Sequence, residues 1–332
     1  MARLVLHIGT HKTGTTMIQN RLAAARADLA GQGVIYPDAG RHTGHHSLLT
    51  DWIALPPPYQ TPGGGISGLR ALADRWRDTD ATLLLSSEEF SRAGGPGGRV
   101  DFALLRSLFQ GYAMRVICVL RCQWQFLQSV YLELQQTVPP PRPSALVSGA
   151  LECGQVDGLW CDYLNLYDGL RETFDPEEIR LIDYAAATAQ TDGLMTQLLH
   201  HAAPRATAPS PPPDAPRANA SPPPIPVWAA HVVAGGPSPG WDIRRAAQEA
   251  YDLEYGPDRP GCIFTRREVQ ALHDRFRNRN DRLANRVRSV QPGWHLPTRP
   301  PPETTLYRED IAPDYWIRLA RRLALCRTLD AA

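Results

Sequence analysis

Short apolar runs alternate with stretches of helical periodicity through about the first 200 residues of the chain. Residues 4–8, 82–85, 115–120 and 179–184 are runs of strand length. With little polar alternation, they suit strands covered on both faces. Between them, residues 16–29 carry Ile18, Leu22 and Leu29 at helical spacing. Further helices are predicted over 69–77, 102–109, 123–136, 160–174 and 193–200. Gly33-Val34-Ile35-Tyr36-Pro37 closes the first strand–helix unit. The alternation predicts an α/β fold, a central parallel sheet flanked by helices. Residues 38–68 break the rhythm with histidines, a proline triplet and a glycine triplet. An irregular segment of that length inside a compact domain is more often a binding loop than a defect.

From residue 203 to about 240 the composition shifts to proline, alanine, serine and glycine. The proline runs at 211–213 and 222–224 are expected to preclude regular structure, which makes 203–240 an insert or linker. Helical signals return at 241–253, 266–290 and 313–328. The predicted organisation is an α/β core over 1–202, the proline-rich insert or linker over 203–240, and a helical C-terminal part over 241–332 packing on the core. No internal repeat is visible.

A chain of 332 residues is long enough for one large α/β domain with insertions. Its 43% apolar and 21% charged content are those of an ordinary soluble globule. A formal net charge of +1 argues against nucleic-acid binding through a diffuse basic field. The first apolar run is too short for a secretory signal, and no later run approaches the ~20 residues of a membrane span. A cytoplasmic protein without a membrane span is therefore expected. The six cysteines show neither a CxxC pair nor a His/Cys metal spacing. They read as reduced cytosolic thiols, with no metal site implied.

Composition also singles out one position. Lysine and arginine together number 35, and Lys12 is the single lysine. Arginine serves wherever a generic positive charge is wanted, so Lys12 marks a place where a compact ammonium is needed and a flat guanidinium will not substitute. It lies in Gly9-Thr10-His11-Lys12-Thr13-Gly14-Thr15-Thr16, directly after the first predicted strand and before the first predicted helix. A turn of glycine and threonine in that position leaves backbone N–H groups at a helix N-terminus, which is an anion site. The order differs from a Walker A loop, whose lysine follows the last glycine; here it precedes Gly14 by two residues.

The order Lys-Thr-Gly-Thr-Thr resembles the 5′-phosphosulfate loop of sulfotransferases that use 3′-phosphoadenosine 5′-phosphosulfate (PAPS). A second motif is similar to that family's 3′-phosphate site: Arg121 ends a strand and Ser129 follows eight residues later on the next helix. Eight residues of helix rise about 12 Å, so for both groups to meet one phosphate the residues just after Arg121 must form a turn. Flanking text carries the resemblance further, in Val34-Ile35-Tyr36-Pro37, in Leu84-Leu85-Ser86-Ser87-Glu88-Glu89-Phe90, and in Arg277-Asn278-Arg279-Asn280. It covers residues 3–200 and, less closely, 265–290.

The resemblance implies a P-loop-type sulfotransferase fold, PAPS as donor, 3′-phosphoadenosine 5′-phosphate as product, and no metal. It implies that Lys12 neutralises charge on the leaving nucleotide, with His11, Thr13, Gly14, Thr15 and Thr16 around the 5′-phosphate. Arg121 and Ser129 would hold the 3′-phosphate. The family's base is a histidine or a glutamate from the loop after the first helix or from the end of the second strand. Here those segments offer His42, His45 and His46, and Glu88 and Glu89. The pair His45 and His46 is of the residue type ordinarily suited to a base working near neutrality, and Glu88 lies where open α/β sheets bind ligands. His7 reads as a core residue. Arg275, Arg279, Arg282 and Arg286 share one helical face, read as a solvated basic face or as a wall for an anionic acceptor, and Asn280 lies on the opposite apolar stripe.

The expected activity is transfer of a sulfuryl group to an acceptor hydroxyl, with carbohydrate among the acceptor classes. A P-loop nucleotide kinase or NTPase and a non-catalytic nucleotide-binding protein are the competing readings. Acceptor identity and oligomeric state have no signature in the sequence.

Overall fold

The apolar runs pair into one parallel sheet in the computed structural model, which describes residues 1–136, 138–210, 222–236 and 238–329. In chain order, β1 (Arg3–His7) is followed by α1 (Thr15–Ala24), α2 (Arg26–Gly31) and β2 (Val34–Ile35). Next, α3 (Gly65–Trp76) leads to β3 (Thr82–Ser86), and α4 (Phe102–Leu108) to β4 (Ala113–Leu120). After α5 (Gln123–Leu134), α6 (Pro143–Cys153) and α7 (Tyr163–Arg171) come β5 (Ile179–Asp183), α8 (Tyr184–Thr188) and α9 (Gly193–Ala202). The order ends with α10 (Pro224–Ala234), α11 (Trp241–Tyr255), α12 (Arg266–Val287) and α13 (Pro313–Leu329). Two compact units result. The first comprises Met1–Cys122, Cys153–Ala218 and Phe276–Pro297, and the second Gln123–Glu152, Asn219–Arg275 and Thr298–Ala332.

The first unit holds the sheet, in the order β2-β3-β1-β4-β5, with every pairing parallel. On one face Leu4, Leu6, Leu83, Leu85 and Val116 pack with Phe102 and Leu105 of α4. On the other, Val5, Leu84, Ile117 and Ile182 pack with Ile18 and Leu22 of α1 and Leu198 of α9. Burial on both faces is why these strands read as unbroken apolar runs. Each fully buried leucine contributes about 2 kcal/mol.

This arrangement also fixes where a ligand can sit. The chain leaves β1 toward α1 on one face and leaves β3 toward α4 on the other. Adjacent strands whose connections part to opposite faces open a crevice at their carboxyl ends. Here it falls between β1 and β3, where His7 pairs with Ser86.

Several boundaries differ from the sequence reading. The helix expected over 16–29 is broken at Ala25, whose φ of −100° and ψ of 18° leave the helical region. The helix expected from residue 160 starts at Tyr163, because the Asp162 side chain accepts a hydrogen bond from Asn165 N–H and caps it. The proline run expected to exclude regular structure instead opens α10 at Pro224. Proline is tolerated in a first turn, where the missing N–H would have had no partner. The proline run at 211–213 lies outside the described residues.

In the second unit α10, α11 and α13 enclose a core that includes Ile225, Ala229, Ala250, Tyr251, Tyr315 and Leu319. Gly261–Cys262 pairs in parallel with Leu306–Tyr307 beside it. Among the described residues no helix is long and apolar enough to cross a membrane.

Candidate active site

Past its last residue, β1 stays tied to β4. Ile8 N–H donates to Ile117 O at 2.9 Å, and Thr10 donates to Val119 O through its backbone at 3.1 Å and its hydroxyl at 3.0 Å. The chain then curls, with Lys12 at φ 63° and Gly14 at φ 78°. Left-handed residues at alternate positions are the geometry in which consecutive amides line an anion-binding concavity. For a lysine that backbone costs on the order of 1–2 kcal/mol. Gly9 allows the curl to close, since a Cβ there would lie 3.0 Å from His7 Nε2 and 3.1 Å from Thr13 Oγ1.

Gly14 caps α1 with no side-chain acceptor, and the first bond of the helix is Ile18 N–H to Gly14 O at 3.1 Å. The amides of Thr15, Thr16 and Met17 therefore have no partner within the helix, and the helix dipole adds about half a positive charge. The Thr15 hydroxyl is buried and meets no partner among the described residues. An orphaned hydroxyl at this point fits a phosphate oxygen. Thr13 behaves differently: its hydroxyl donates to Thr10 O at 2.5 Å and braces the loop from within. Thr16 is exposed.

Arg121 supports the turn from beneath. Its Nη1 donates to Lys12 O at 3.1 Å, its guanidinium stands 5.1 Å from the Tyr184 ring centroid, and its own carbonyl accepts from Tyr163 OH at 2.7 Å. Burial lowers its pKa from the ordinary arginine value. Ser129 belongs to the second unit, where its hydroxyl donates to Gln125 O at 2.9 Å and Phe126 O at 2.8 Å within its own helix.

The end of β3 forms the other wall. His45 accepts Ser86 N–H on Nδ1 at 2.9 Å, so its proton is on Nε2, which donates to Pro37 O at 3.0 Å. Both ring nitrogens are committed to backbone. Burial pushes its pKa down to about 4, against the two hydrogen bonds. The adjacent His46 is oriented differently. Its Nδ1 meets Ser87 Oγ at 2.8 Å, and its Nε2 lies 3.9 Å from Glu88 Oε2. Glu88 in turn accepts from Gln19 Nε2 at 3.2 Å.

Glu89 points elsewhere, between His11 Nε2 at 3.3 Å and Arg92 Nε at 2.7 Å. Burial alone would raise its pKa, but hydrogen bonds and charge from His11 and Arg92 outweigh it and bring it down to about 2. His7 is a core residue, bonded through Nδ1 to Ser86 Oγ at 2.8 Å, and burial lowers its pKa to about 4. His42 is exposed and stacks on Tyr59 at 4.2 Å between centroids; His46 meets the same ring edge-on at 5.5 Å.

The structure thus gathers His11, Lys12, Thr13, Gly14, Thr15, His46 and Glu88 around the carboxyl ends of β1 and β3 and withdraws the His45 ring into the backbone. Ser87 and Arg92 join them, as do Gln19 and Tyr59, which were not singled out from sequence. Gln19, buried one position after Ile18, carried no signal in the sequence. On α12, Arg279 and Arg286 are not a free basic face: they form ion pairs with Asp162 and Asp168. Asn280 is buried. Among the described residues, no group of three or more His, Cys, Asp or Glu side chains could hold a metal ion.

No family model and no curated protein matches the chain. Among solved structures, a sulfotransferase from Alicyclobacillus acidocaldarius aligns over 81% of this chain and 94% of its own, at 13% identity and a TM-score of 0.40. A likeness of that degree carries no argument about chemistry, which rests on the geometry above.

Proposed function

We propose that this chain is a PAPS-dependent sulfotransferase. The observation that carries the reading is the curled loop at the end of β1, where Lys12, uncapped α1 amides and the orphaned Thr15 hydroxyl converge. Such a concavity suits the 5′-phosphate of the donor nucleotide, and Lys12 supplies a point charge for the bridging oxygen as it departs. In the reaction, an acceptor oxygen bonds to sulfur while the bond from sulfur to the 5′-phosphate oxygen breaks in line. The acceptor proton passes to the His46 and Glu88 pair. Ser87 fixes the His46 ring at Nδ1, which leaves Nε2 as the nitrogen beside the carboxylate. His45 has no free ring nitrogen to take the proton. Arg121, beneath the same turn, is assigned to the 3′-phosphate.

The test is retention on immobilised adenosine 3′,5′-bisphosphate against ATP-agarose, followed by transfer of labelled sulfate from PAPS across carbohydrate and phenolic acceptors. Magnesium-dependent ATP binding with no response to the bisphosphate would favour a kinase or NTPase instead. Bisphosphate binding without transfer to any acceptor would leave a nucleotide-binding protein.

A further inference from the structure

The opposite end of the same sheet carries a second concentration of positive charge. Arg3, Arg115 and Arg180 come from the adjacent strands β1, β4 and β5. All three share the sheet face of Val5, Ile117 and Ile182, because each stands an even number of positions from one of them. The register places Arg3 opposite Ala113, Arg115 opposite Val5, and Arg180 opposite Ile117. Successive arginines therefore step diagonally, about 8 Å apart at the backbone, within reach of one another's side chains.

Beside them is a cavity of about 300 Å³, with Arg3 and Arg115 on its lining, Val5 and Ala113 as floor, and Ala202 and Pro204 as wall. Arg115 donates to His201 O at 2.9 Å, and Arg180 to Ile179 O at 2.8 Å. Among the described residues none of the three forms an ion pair with a carboxylate. Asp80, which feels Arg3, is held by the chain's amino terminus at 2.6 Å. The carboxyl end of α9 offers about half a negative charge against three guanidiniums. The surplus is evident in Arg115, whose pKa is lowered first by burial and then by Arg180 and Arg3.

Two arginines, Arg3 and Arg115, on a cavity whose lining holds no carboxylate among the described residues match a multiply charged oxyanion. We propose that this cavity is a second anion site, taking a soluble phosphate-type anion of about the size of pyrophosphate. It is separate from the loop at the other end of β1, a five-residue strand spanning about 16 Å.

The experiment is isothermal titration of the full chain with sodium pyrophosphate in a Lys12→Ala background, which weakens the loop as a competitor. Binding is expected there, and Arg3→Gln should weaken it roughly tenfold. Arg3 suits the test because its side chain makes no hydrogen bond among the described residues, so the fold does not depend on it. Arg115→Gln should weaken binding at least as much, with a thermal melt to confirm folding. No binding in the Lys12→Ala chain, or affinity within twofold on adding Arg3→Gln, would overturn the assignment.

Discussion

Replacing His45 by alanine separates the two neighbouring histidines by a measurement that does not depend on turnover. The change leaves Ser86 N–H and Pro37 O without their partners. A buried group stranded this way costs about 1–3 kcal/mol, and the lost ring opens a cavity beside Tyr36. At pH 7 the expected destabilisation is about 4 kcal/mol, a fall in Tm of roughly 10 °C. The gap should shrink in acid. Burial holds His45 near pKa 4 in the folded chain, against about 6.5 when unfolded, so the unfolded state binds the extra proton between these values. Stability attached to the neutral ring is present above pH 6.5 and is lost as pH falls toward 4, by about 3 kcal/mol. Urea melts of parent and His45→Ala at pH 7 and pH 4 should therefore differ by about 4 and then about 1 kcal/mol. A gap that stays constant across that range would refute the neutral, doubly bonded imidazole.

Other outcomes follow from the same geometry. Lys12→Arg should keep the fold and lose at least about 100-fold in sulfate transfer, since a planar fork cannot replace a point charge on the curled loop; near-normal turnover would mean the lysine is incidental. Gly9→Ala should weaken adenosine 3′,5′-bisphosphate binding measured by calorimetry, because the added methyl pushes against His7 and Thr13. Glu89→Gln should flatten the acid limb of stability. The paired carboxylate stabilises the fold above about pH 4.5 and loses that contribution as pH falls toward 2, so unchanged melts between those values would count against the pairing. Arg21→Ala, which removes a two-bond clasp from α1 to Asp192, should cost about 2 kcal/mol in a denaturant titration.

The α/β architecture was legible because strands buried on both faces must be apolar throughout, and the runs around Val5, Leu84, Ile117 and Ile182 are. The loop was legible for a related reason: its glycines, threonines and lone lysine are consecutive, so local order alone brings them together. The different bonding of the His45 and His46 rings was not legible. It depends on which ring nitrogen meets Ser86, Pro37 or Ser87, and those partners are set by packing across separate elements. Gln19 and Tyr59 were hidden likewise, since polar side chains acquire meaning here only from neighbours distant in sequence. Helix ends escaped where a single cap decided them, as Asp162 does for α7. The arginines at the far end of the sheet show the same limit most plainly. Scattered among 34 arginines, Arg3, Arg115 and Arg180 carry no signal until strand register sets them side by side. Periodicity and contiguous motifs are local and survive in the sequence, whereas charge convergence and hydrogen-bond choice are properties of tertiary contact.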